Sequence, residues 1–129
     1  MNYLLDSSVF LWTCMGAPQL TVRVRDVLSV SDARLFVSAA SGWEIALKSA
    51  KGKIQLPAPV QKWFSAVAAH HRIDVLPIEA VTAIESTLLP PLHADPFDRL
   101  LAMIAIERKW ILITPDETLK TYPKLKTLW

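Results

Sequence analysis

The chain alternates short apolar runs with longer segments in which apolar residues recur at helical spacing. The short runs predict buried β-strands at 2–6, 34–39, 73–78 and 110–115, with a candidate last strand at 126–129. The helical patterns predict helices at 8–16, 19–32, 41–54, 60–72, 79–89 and 96–109, and a short helical turn at 116–122. Strand and helix therefore follow one another along most of the sequence.

This alternation predicts the fold class. Strands joined through helices long enough for crossover connections are typical of an α/β fold, with a mainly parallel sheet of four to five strands and helices on both faces. Gly16 and Gly52 fit the position just after a helix, and Pro90 with Pro91 stops the helix before them. Because no repeat, low-complexity tract or linker interrupts the pattern, we expect one domain over 1–129.

Composition indicates in which cellular compartment the protein is expected. At 129 residues and 52% hydrophobic residues, the chain is large enough to bury a core. No apolar run reaches the roughly 18 residues that a membrane span needs, and MNYLLDSS lacks the basic segment of a signal peptide. The single cysteine, Cys14, excludes an intramolecular disulfide and suits a reducing compartment. We therefore expect a cytoplasmic protein that does not enter a membrane.

Four acidic residues recur at one topological place. Asp6 ends the first predicted strand and Asp116 follows the fourth, while Glu44 and Asp98 lie in the first turns of predicted helices. In parallel sheets, ligands bind outside the carboxyl ends of the strands. The four carboxylates are therefore candidates for one rim of the molecule.

Most of these acids also have a structural explanation. Asp95 is a favoured helix N-cap, Pro96 fits the first helical position, and Asp98 then lies near the positive end of the helix dipole. Glu44 ends a capping-box pattern that starts at Ser41, and Asp116 fits a cap of the following turn. Asp6 is the exception, because a carboxylate at the edge of a buried sheet needs pairing, hydrogen bonds or a metal.

Clustered carboxylates repel one another unless a hard cation lies among them, and Mg²⁺ prefers oxygen ligands. Such an ion activates water and polarises phosphates, the chemistry of phosphodiester cleavage. The formal net charge is only +2, but fourteen basic residues would face the eight acids that remain of twelve once four bind a metal. A basic surface near the metal then favours a nucleic-acid backbone. Its nearest candidates are Lys48, Lys51, Lys53 and Arg99.

Four blocks of the sequence carry a family resemblance: LLDSSVFLW, SAASGWEIALKSAKGKIQLP, LPPLHADPFDRLLAMIAIE and LITPDETLKTY. Together they resemble the PIN-domain ribonucleases, specifically the VapC-type toxins of bacterial toxin–antitoxin pairs. The resemblance implies a PIN-like three-layer α/β/α fold and a Mg²⁺- or Mn²⁺-dependent endoribonuclease. It also implies an RNA substrate, a homodimer and a small VapB-like antitoxin that blocks the site, with DNA reached only through the antitoxin.

Carried over to this sequence, the resemblance assigns the metal-binding acidic quartet to Asp6, Glu44, Asp98 and Asp116. Asp95 mainly starts its helix and is an additional candidate ligand, while Ser8 matches a position that is a candidate to hold a metal water. Trp43 is a candidate for base stacking, and Lys48 and Arg99 are candidates for substrate binding. The chain departs from the commoner pattern at Ser41-Gly42 and at Pro115.

The three histidines, His70, His71 and His93, lack metal-ligand spacing and are expected on the surface or in loops. Two alternative functions stay open. A receiver-like phosphoryl-accepting domain also gathers acids at strand ends, and a catalytically idle PIN-like module would only bind RNA or a partner. The apolar segments Val24–Leu28 and Val60–Ala69 are the expected sites of self-association.

Overall fold

A computed structural model describes residues 1–129. The strands are β1 (Asn2–Leu5), β2 (Arg34–Ser38), β3 (Ile73–Leu76), β4 (Ile111–Ile113) and β5 (Lys126–Leu128). The helices are α1 (Ser7–Met15), α2 (Val22–Ser29), α3 (Ala39–Ala50), α4 (Val60–His70), α5 (Ala80–Ser86) and α6 (Pro96–Arg108), with a 3-10 turn at Leu119–Thr121. Every predicted strand and helix is present. No helix combines the length and the apolar character needed to cross a bilayer.

The five strands form one sheet in the order β3-β2-β1-β4-β5, and every pair is parallel. Alternate side chains of the strands enter two separate apolar clusters, because successive residues of a strand point to opposite faces. Leu5 packs with the residues of α1, α2 and α4, whereas Leu4 packs with those of α6. The predicted three-layer α/β/α architecture is confirmed, and the sheet is fully rather than mainly parallel.

Several predicted elements are too long. The strand predicted at 73–78 ends at Leu76, because Pro77 has no N–H for the ladder. The helix predicted at 19–32 begins only at Val22, since the Thr21 hydroxyl caps it by accepting from the Val24 N–H at 3.2 Å. The turn predicted at 116–122 reduces to the three 3-10 residues.

The predicted capping box at Ser41 and Glu44 is wrong. β2 runs directly into α3, and Ser38 is the N-cap, with its hydroxyl accepting from the Ala40 N–H at 3.0 Å. Glu44 therefore lies in the second turn of α3, too far from the helix start to bond the capping N–H groups. Glu44 consequently has no capping role that would explain its buried carboxylate.

The expected sites of self-association are also corrected. Val24 of α2 and Trp63 and Phe64 of α4 are buried in the core, because the apolar stripes of both helices face the sheet. A group of exposed apolar side chains instead lies along another helix, namely Val81, Ile84 and Leu88, at 65%, 65% and 79% exposure. They lie on α5 and the turn that continues it.

The strand order indicates where a ligand-binding crevice lies. From central β1 the chain moves outwards to β2 and β3, and then returns to the other side of β1 with β4. Ligands of open α/β sheets bind where the strand order reverses in this way. That point lies between the carboxyl ends of β1 and β4, next to Asp6 and Asp116.

Candidate carboxylate site

Asp6 is buried at the junction of β1 and α1. It is the N-cap of α1: its Oδ1 accepts from the Val9 N–H at 2.8 Å, and its Oδ2 accepts from the Thr114 hydroxyl at 2.6 Å. Burial raises the pKa of Asp6 to about 6, the two hydrogen bonds oppose the rise, and repulsion from Glu44 and Asp116 adds to it. The hydrogen bonds explain how the fold tolerates this carboxylate, while its raised pKa marks an unfavourable charge.

Glu44 is held by hydroxyl groups and one lysine. The Ser7 hydroxyl donates to Glu44 Oε1 at 2.6 Å, and Ser7 Oγ also lies 2.9 Å from Ser41 Oγ. On the other side, Lys48 Nζ lies 3.1 Å from Glu44 Oε2, one helical turn further along α3. Sequence reasoning did not identify Ser7, whose role depends on the approach of α1 and α3 in space.

Asp95 and Asp98 have different surroundings at the start of α6. Asp95 Oδ1 accepts from the Phe97 N–H at 2.8 Å, which confirms Asp95 as the N-cap. Asp98 lies in the first turn and is partly buried. Burial raises the pKa of Asp98 to about 7, repulsion from Asp95, Glu44 and Asp6 adds to it, and His93 opposes it.

Asp116 follows β4 and uses its two oxygens differently. Oδ1 accepts from the backbone N–H groups of Thr118 and Leu119 at 2.8 and 3.1 Å, so the expected turn cap is present. Oδ2 lies 2.9 Å from His93 Nε2. Burial alone would raise the pKa of Asp116, but the hydrogen bonds from His93, Leu119 and Thr118 outweigh it and the net shift is downward.

The four acids converge on one polar cavity of about 250 Å³. Asp6 comes from the end of β1, Glu44 from α3, Asp98 from α6 and Asp116 from the loop after β4. The cavity is also lined by Ser7, Ser8, Lys48, Asp95 and Pro115. Each acid alone has a structural partner, but together they form a concentration of negative charge that the fold itself does not require.

His93 is a site residue that the sequence reasoning missed. It was expected on the surface or in a loop; it is indeed in a loop, but only 13% of its side chain is exposed. Its Nε2 lies 2.9 Å from Asp116 Oδ2 and 3.3 Å from Asp98 Oδ2. The only signal in the sequence was its position two residues before the N-cap Asp95, which does not show where the ring points.

Arg99 corrects a second expectation. It was a candidate for substrate binding, but its guanidinium is directed at the preceding loop. Its two terminal nitrogens lie 2.9–3.3 Å from six oxygen atoms, namely the carbonyls of Ser86, Thr87, Leu89, Pro90 and His93 and the hydroxyl of Tyr122. These N–H groups already donate to oxygen atoms of the protein, so Arg99 organises the loop and does not bind phosphate.

A second cavity of about 460 Å³ adjoins the acidic one and shares Glu44, Lys48 and Asp95 with it. It is further lined by Lys51, Lys53, Leu47, Ala94, Pro96 and Phe97. Trp43 is 60% exposed and meets Phe97 edge to face, with ring centroids 5.2 Å apart. Basic and aromatic groups thus border the carboxylates on the α3 side.

The carboxylate oxygens of the cavity fit a hard divalent ion. One oxygen each of Asp98 and Asp116 and a ring nitrogen of His93 lie within 4.8 Å of one another, with Asp6 and Glu44 lining the same cavity. Carboxylate oxygens are the ligands that Mg²⁺ and Mn²⁺ prefer. Burial, and to a smaller extent repulsion among the acids, raises the pKa values of Asp6 and Asp98, so a bound cation would favour their ionised forms.

The parallel sheet in this strand order, with acids at its switch point, defines a PIN-like α/β/α domain. The sequence matches the PIN domain family over residues 3–125. It is also 34% identical over 129 residues to Ribonuclease VapC22 of Mycobacterium tuberculosis, covering 98% of this chain and 97% of that protein. The chain therefore belongs to the PIN-domain family, in its VapC branch, and the resemblance seen in the sequence is confirmed.

Solved structures with low sequence identity share the fold. VapBC2 from Rickettsia felis, crystallised with a DNA fragment from its promoter, contains a chain similar at a TM-score of 0.74 and 16% identity, over 99% of this chain and 98% of that one. DNA-bound VapBC from Salmonella typhimurium contains one at a TM-score of 0.67 and 17% identity, over 99% and 97%. Identities this low establish the common architecture alone.

Proposed function

We propose that the protein is a divalent-metal-dependent endoribonuclease and the toxin of a toxin–antitoxin pair. The observation that carries this proposal is the convergence of Asp6, Glu44, Asp98 and Asp116 on one polar cavity in a chain of the PIN-domain family. The name of its relative from Mycobacterium tuberculosis, a ribonuclease, supports the same reaction.

The residues of the cavity take distinct roles in this proposal. Asp98 and Asp116 would hold the ion. Asp6 is a further candidate ligand, and its carboxylate is kept in place by the Thr114 hydroxyl and by the start of α1. When bound, Mg²⁺ or Mn²⁺ polarises a phosphate and makes water more acidic. Glu44, paired with Lys48, completes the acidic rim.

One hydroxyl group and one further carboxylate complete the assignment. Ser8 lines the cavity and is the candidate hydroxyl to orient the attacking water. Asp95 lines the same cavity, so it stays an additional candidate ligand besides its capping role.

The RNA path follows the second cavity. Lys48, Lys51 and Lys53 provide positive charge beside the acids, where it can hold the phosphates on either side of the scissile bond. Trp43 is exposed next to this cavity and offers a face on which an unpaired base can stack. We infer that the substrate is single-stranded around the cleavage point, because stacking on a side chain needs an unpaired base.

We expect the double variant Lys51→Gln, Lys53→Gln to bind RNA more weakly than the wild type does, whatever the RNA sequence. Each lysine lost should reduce the slope of log affinity against log salt by about 0.7. Binding is measured over a salt series in an Asp98→Asn background, so that the RNA stays intact. Lys126→Gln is the matched control, since Lys126 begins the edge strand β5 and lines neither cavity. An unchanged affinity and salt slope in the double variant would contradict this path.

The proposed activity is tested with the wild-type chain and a pool of RNA. We expect cleavage with Mg²⁺ or Mn²⁺, none with EDTA, and none of DNA of the same sequence. Metal-independent cleavage would contradict the mechanism. No cleavage of any RNA, with retained RNA binding, would favour the idle PIN-like module, and stable phosphorylation of an aspartate by a small phosphodonor would favour the receiver-like alternative.

We further propose a small VapB-like antitoxin as the protein partner, and that it blocks the acidic cavity. The two similar solved structures are VapBC complexes bound to DNA. For this chain we infer that any contact with DNA runs through the antitoxin, because a cavity rich in carboxylates repels a phosphate backbone unless cations screen it. A single domain over 1–129 and a cytoplasmic location stay predictions.

We propose that the protein forms a homodimer through the exposed apolar side of α5. Val81, Ile84 and Leu88 are spaced as one face of a helix. We expect Ile84→Glu to convert the dimer to a monomer, because each copy would bury an unpaired charge. Mass is measured by light scattering at tens of micromolar, with Val22→Glu, at another exposed valine, as control. A monomeric wild-type chain would contradict the dimer, and a dimeric Ile84→Glu would contradict this interface.

A further inference from the structure

His93 connects two acids that come from separate elements. Its Nε2 lies 2.9 Å from Asp116 Oδ2, in the loop after β4, and 3.3 Å from Asp98 Oδ2, in the first turn of α6. Both distances place one ring nitrogen within reach of two carboxylates. His93 is therefore the one side chain that links the Asp98 and Asp116 sides of the cavity directly.

The backbone of Asp95 determines which ring nitrogen carries the hydrogen. The Asp95 N–H donates to His93 Nδ1 at 3.1 Å. A ring nitrogen that accepts a hydrogen bond carries no hydrogen, so the neutral imidazole carries its hydrogen on Nε2. The Nε2–H group then donates towards Asp116 Oδ2, with Asp98 Oδ2 next to it. In this tautomer His93 is a hydrogen-bond donor to the acids, and Nε2 has no lone pair for a metal.

The loop that carries His93 is fixed from two sides. Tyr122 is almost fully buried, and its hydroxyl accepts from the His93 N–H at 3.2 Å and donates to the Pro90 carbonyl at 3.0 Å. Arg99 of α6 donates to the carbonyls of His93 and Pro90 and also contacts the Tyr122 hydroxyl. The position of the ring thus follows from α6 and from the segment after β4, the same two elements that supply Asp98 and Asp116.

We propose that His93 is a positioning residue of the metal site. Its Nε2–H holds Asp98 and Asp116 in the arrangement in which the carboxylate lone pairs that accept no hydrogen bond receive a divalent ion. For Asp116 such a lone pair is on Oδ2, because Oδ1 already accepts from the Thr118 and Leu119 N–H groups. Hydrogen-bond donors behind metal-binding carboxylates orient the ligands in this way. The inference rests on the proposed metal site. The competing assignment, His93 as a ligand, requires the hydrogen on Nδ1 and the loss of the bond from the Asp95 N–H.

Two amide substitutions separate the functions of the two ring nitrogens. The amide nitrogen of Gln reaches the position of Nε2 and can donate to the acids, whereas the shorter Asn reaches only the position of Nδ1. We expect His93→Asn to weaken Mn²⁺ binding by about 10- to 100-fold, and His93→Gln to retain most of the wild-type affinity. Mn²⁺ binding to the full chain is measured by calorimetry and by paramagnetic resonance of the free ion. His70→Asn, at an exposed histidine on α4, is the matched control and should bind as the wild type does.

Nitrogen-15 NMR of the wild-type imidazole tests the tautomer without any substitution. We expect the hydrogen of His93 on Nε2, both in the metal-free protein and with saturating Mg²⁺. A hydrogen on Nδ1 after Mg²⁺ addition would overturn the proposal and assign His93 as a ligand. This measurement decides the question even if the Asn variant does not fold.

The outcomes distinguish this inference from the proposed function. If the wild-type chain binds Mn²⁺ and cleaves RNA, but His93→Asn binds Mn²⁺ as tightly as the wild type, only the role of His93 is overturned. Equal losses in the Gln and Asn variants would also overturn it, because restoring the donor would have had no effect. If the wild-type chain itself binds no divalent ion, the proposed function and the inference are both overturned.

Discussion

We expect Asp98→Asn to lower RNA cleavage by about two orders of magnitude or more, without loss of the fold. The amide keeps the size of the side chain but removes the charge that attracts a divalent ion. Because burial raises the pKa of Asp98 to about 7, the ionised carboxylate is unfavourable in the metal-free protein. At about pH 8, the metal-free variant should therefore be more stable than the wild type, by about 1–3 kcal/mol.

Asp95 is the internal comparison for Asp98. Asp95→Asn preserves a good N-cap and should retain most of the activity, whereas Asp95→Ala should cost roughly 0.5–2 kcal/mol of stability. Cleavage of an RNA pool and thermal unfolding are measured for each variant, with EDTA as the metal-free condition. Full cleavage by Asp98→Asn would contradict its metal role. Loss of all activity in a folded Asp95→Asn would show that Asp95 is the essential acid of the pair.

The metal-free protein should become less stable as the pH rises from about 4 to about 7. Folded Asp6 and Asp98 have pKa values of about 6 and about 7, against a usual value of 3.8. In this range the folded state holds protons that the unfolded chain has released, so its stability falls with rising pH. Above about pH 7 both carboxyl groups are ionised in the folded and the unfolded protein, so they cause no further loss of stability. Asp116 has a lowered pKa and acts in the opposite sense, since its contribution is present above about pH 4 and is lost in acid.

Binding of a divalent ion should reverse the fall in stability that the metal-free protein shows as the pH rises. The ion needs ionised carboxylates, so its affinity should rise with pH until Asp98 has lost its proton near pH 7. We would measure thermal unfolding with EDTA and Mn²⁺ titrations at several pH values between about 5 and 8. Asp98→Asn is the control and should show a weaker loss of stability across this range. A wild-type stability that rises from pH 5 to 7 in EDTA would contradict the raised pKa values.

The sequence predicted more of the fold than of the side-chain environments. Strand and helix order followed from periodicity, because residues of a strand face opposite sides and those of a helix share one face after three or four positions. Element ends were less certain, since they depend on local groups such as the Thr21 cap and on Pro77. The capping box was wrong because the S-x-x-E pattern of Ser41 and Glu44 is equally compatible with a helix whose N-cap lies three residues earlier, at Ser38.

The acids were predictable for a different reason. In a parallel sheet, the segments that follow the strands begin at the same end of the sheet, so Asp6 and Asp116 are brought together by topology before any side-chain contact is considered. The environment of Glu44 was not predictable, because it depends on the approach of Ser7 from α1 to α3. Local spacing does not encode the distance between two helices.

The amino-acid sequence by itself determined the alternation of strands and helices, the parallel sheet, the family and the four acids. The alternation, the sheet and the shared position of the acids depend on short-range periodicity and on the rule that the carboxyl ends of parallel strands lie at one end of the sheet. The family follows instead from the resemblance of four sequence blocks. Only the tertiary structure decided the roles of His93 and Arg99. The same short segment, 93–99, directs its imidazole into the carboxylate site and its guanidinium into the preceding loop. The direction of each side chain is set by partners distant in sequence, Asp116 for the ring and the carbonyls of 86–90 for the guanidinium, and no local pattern specifies them.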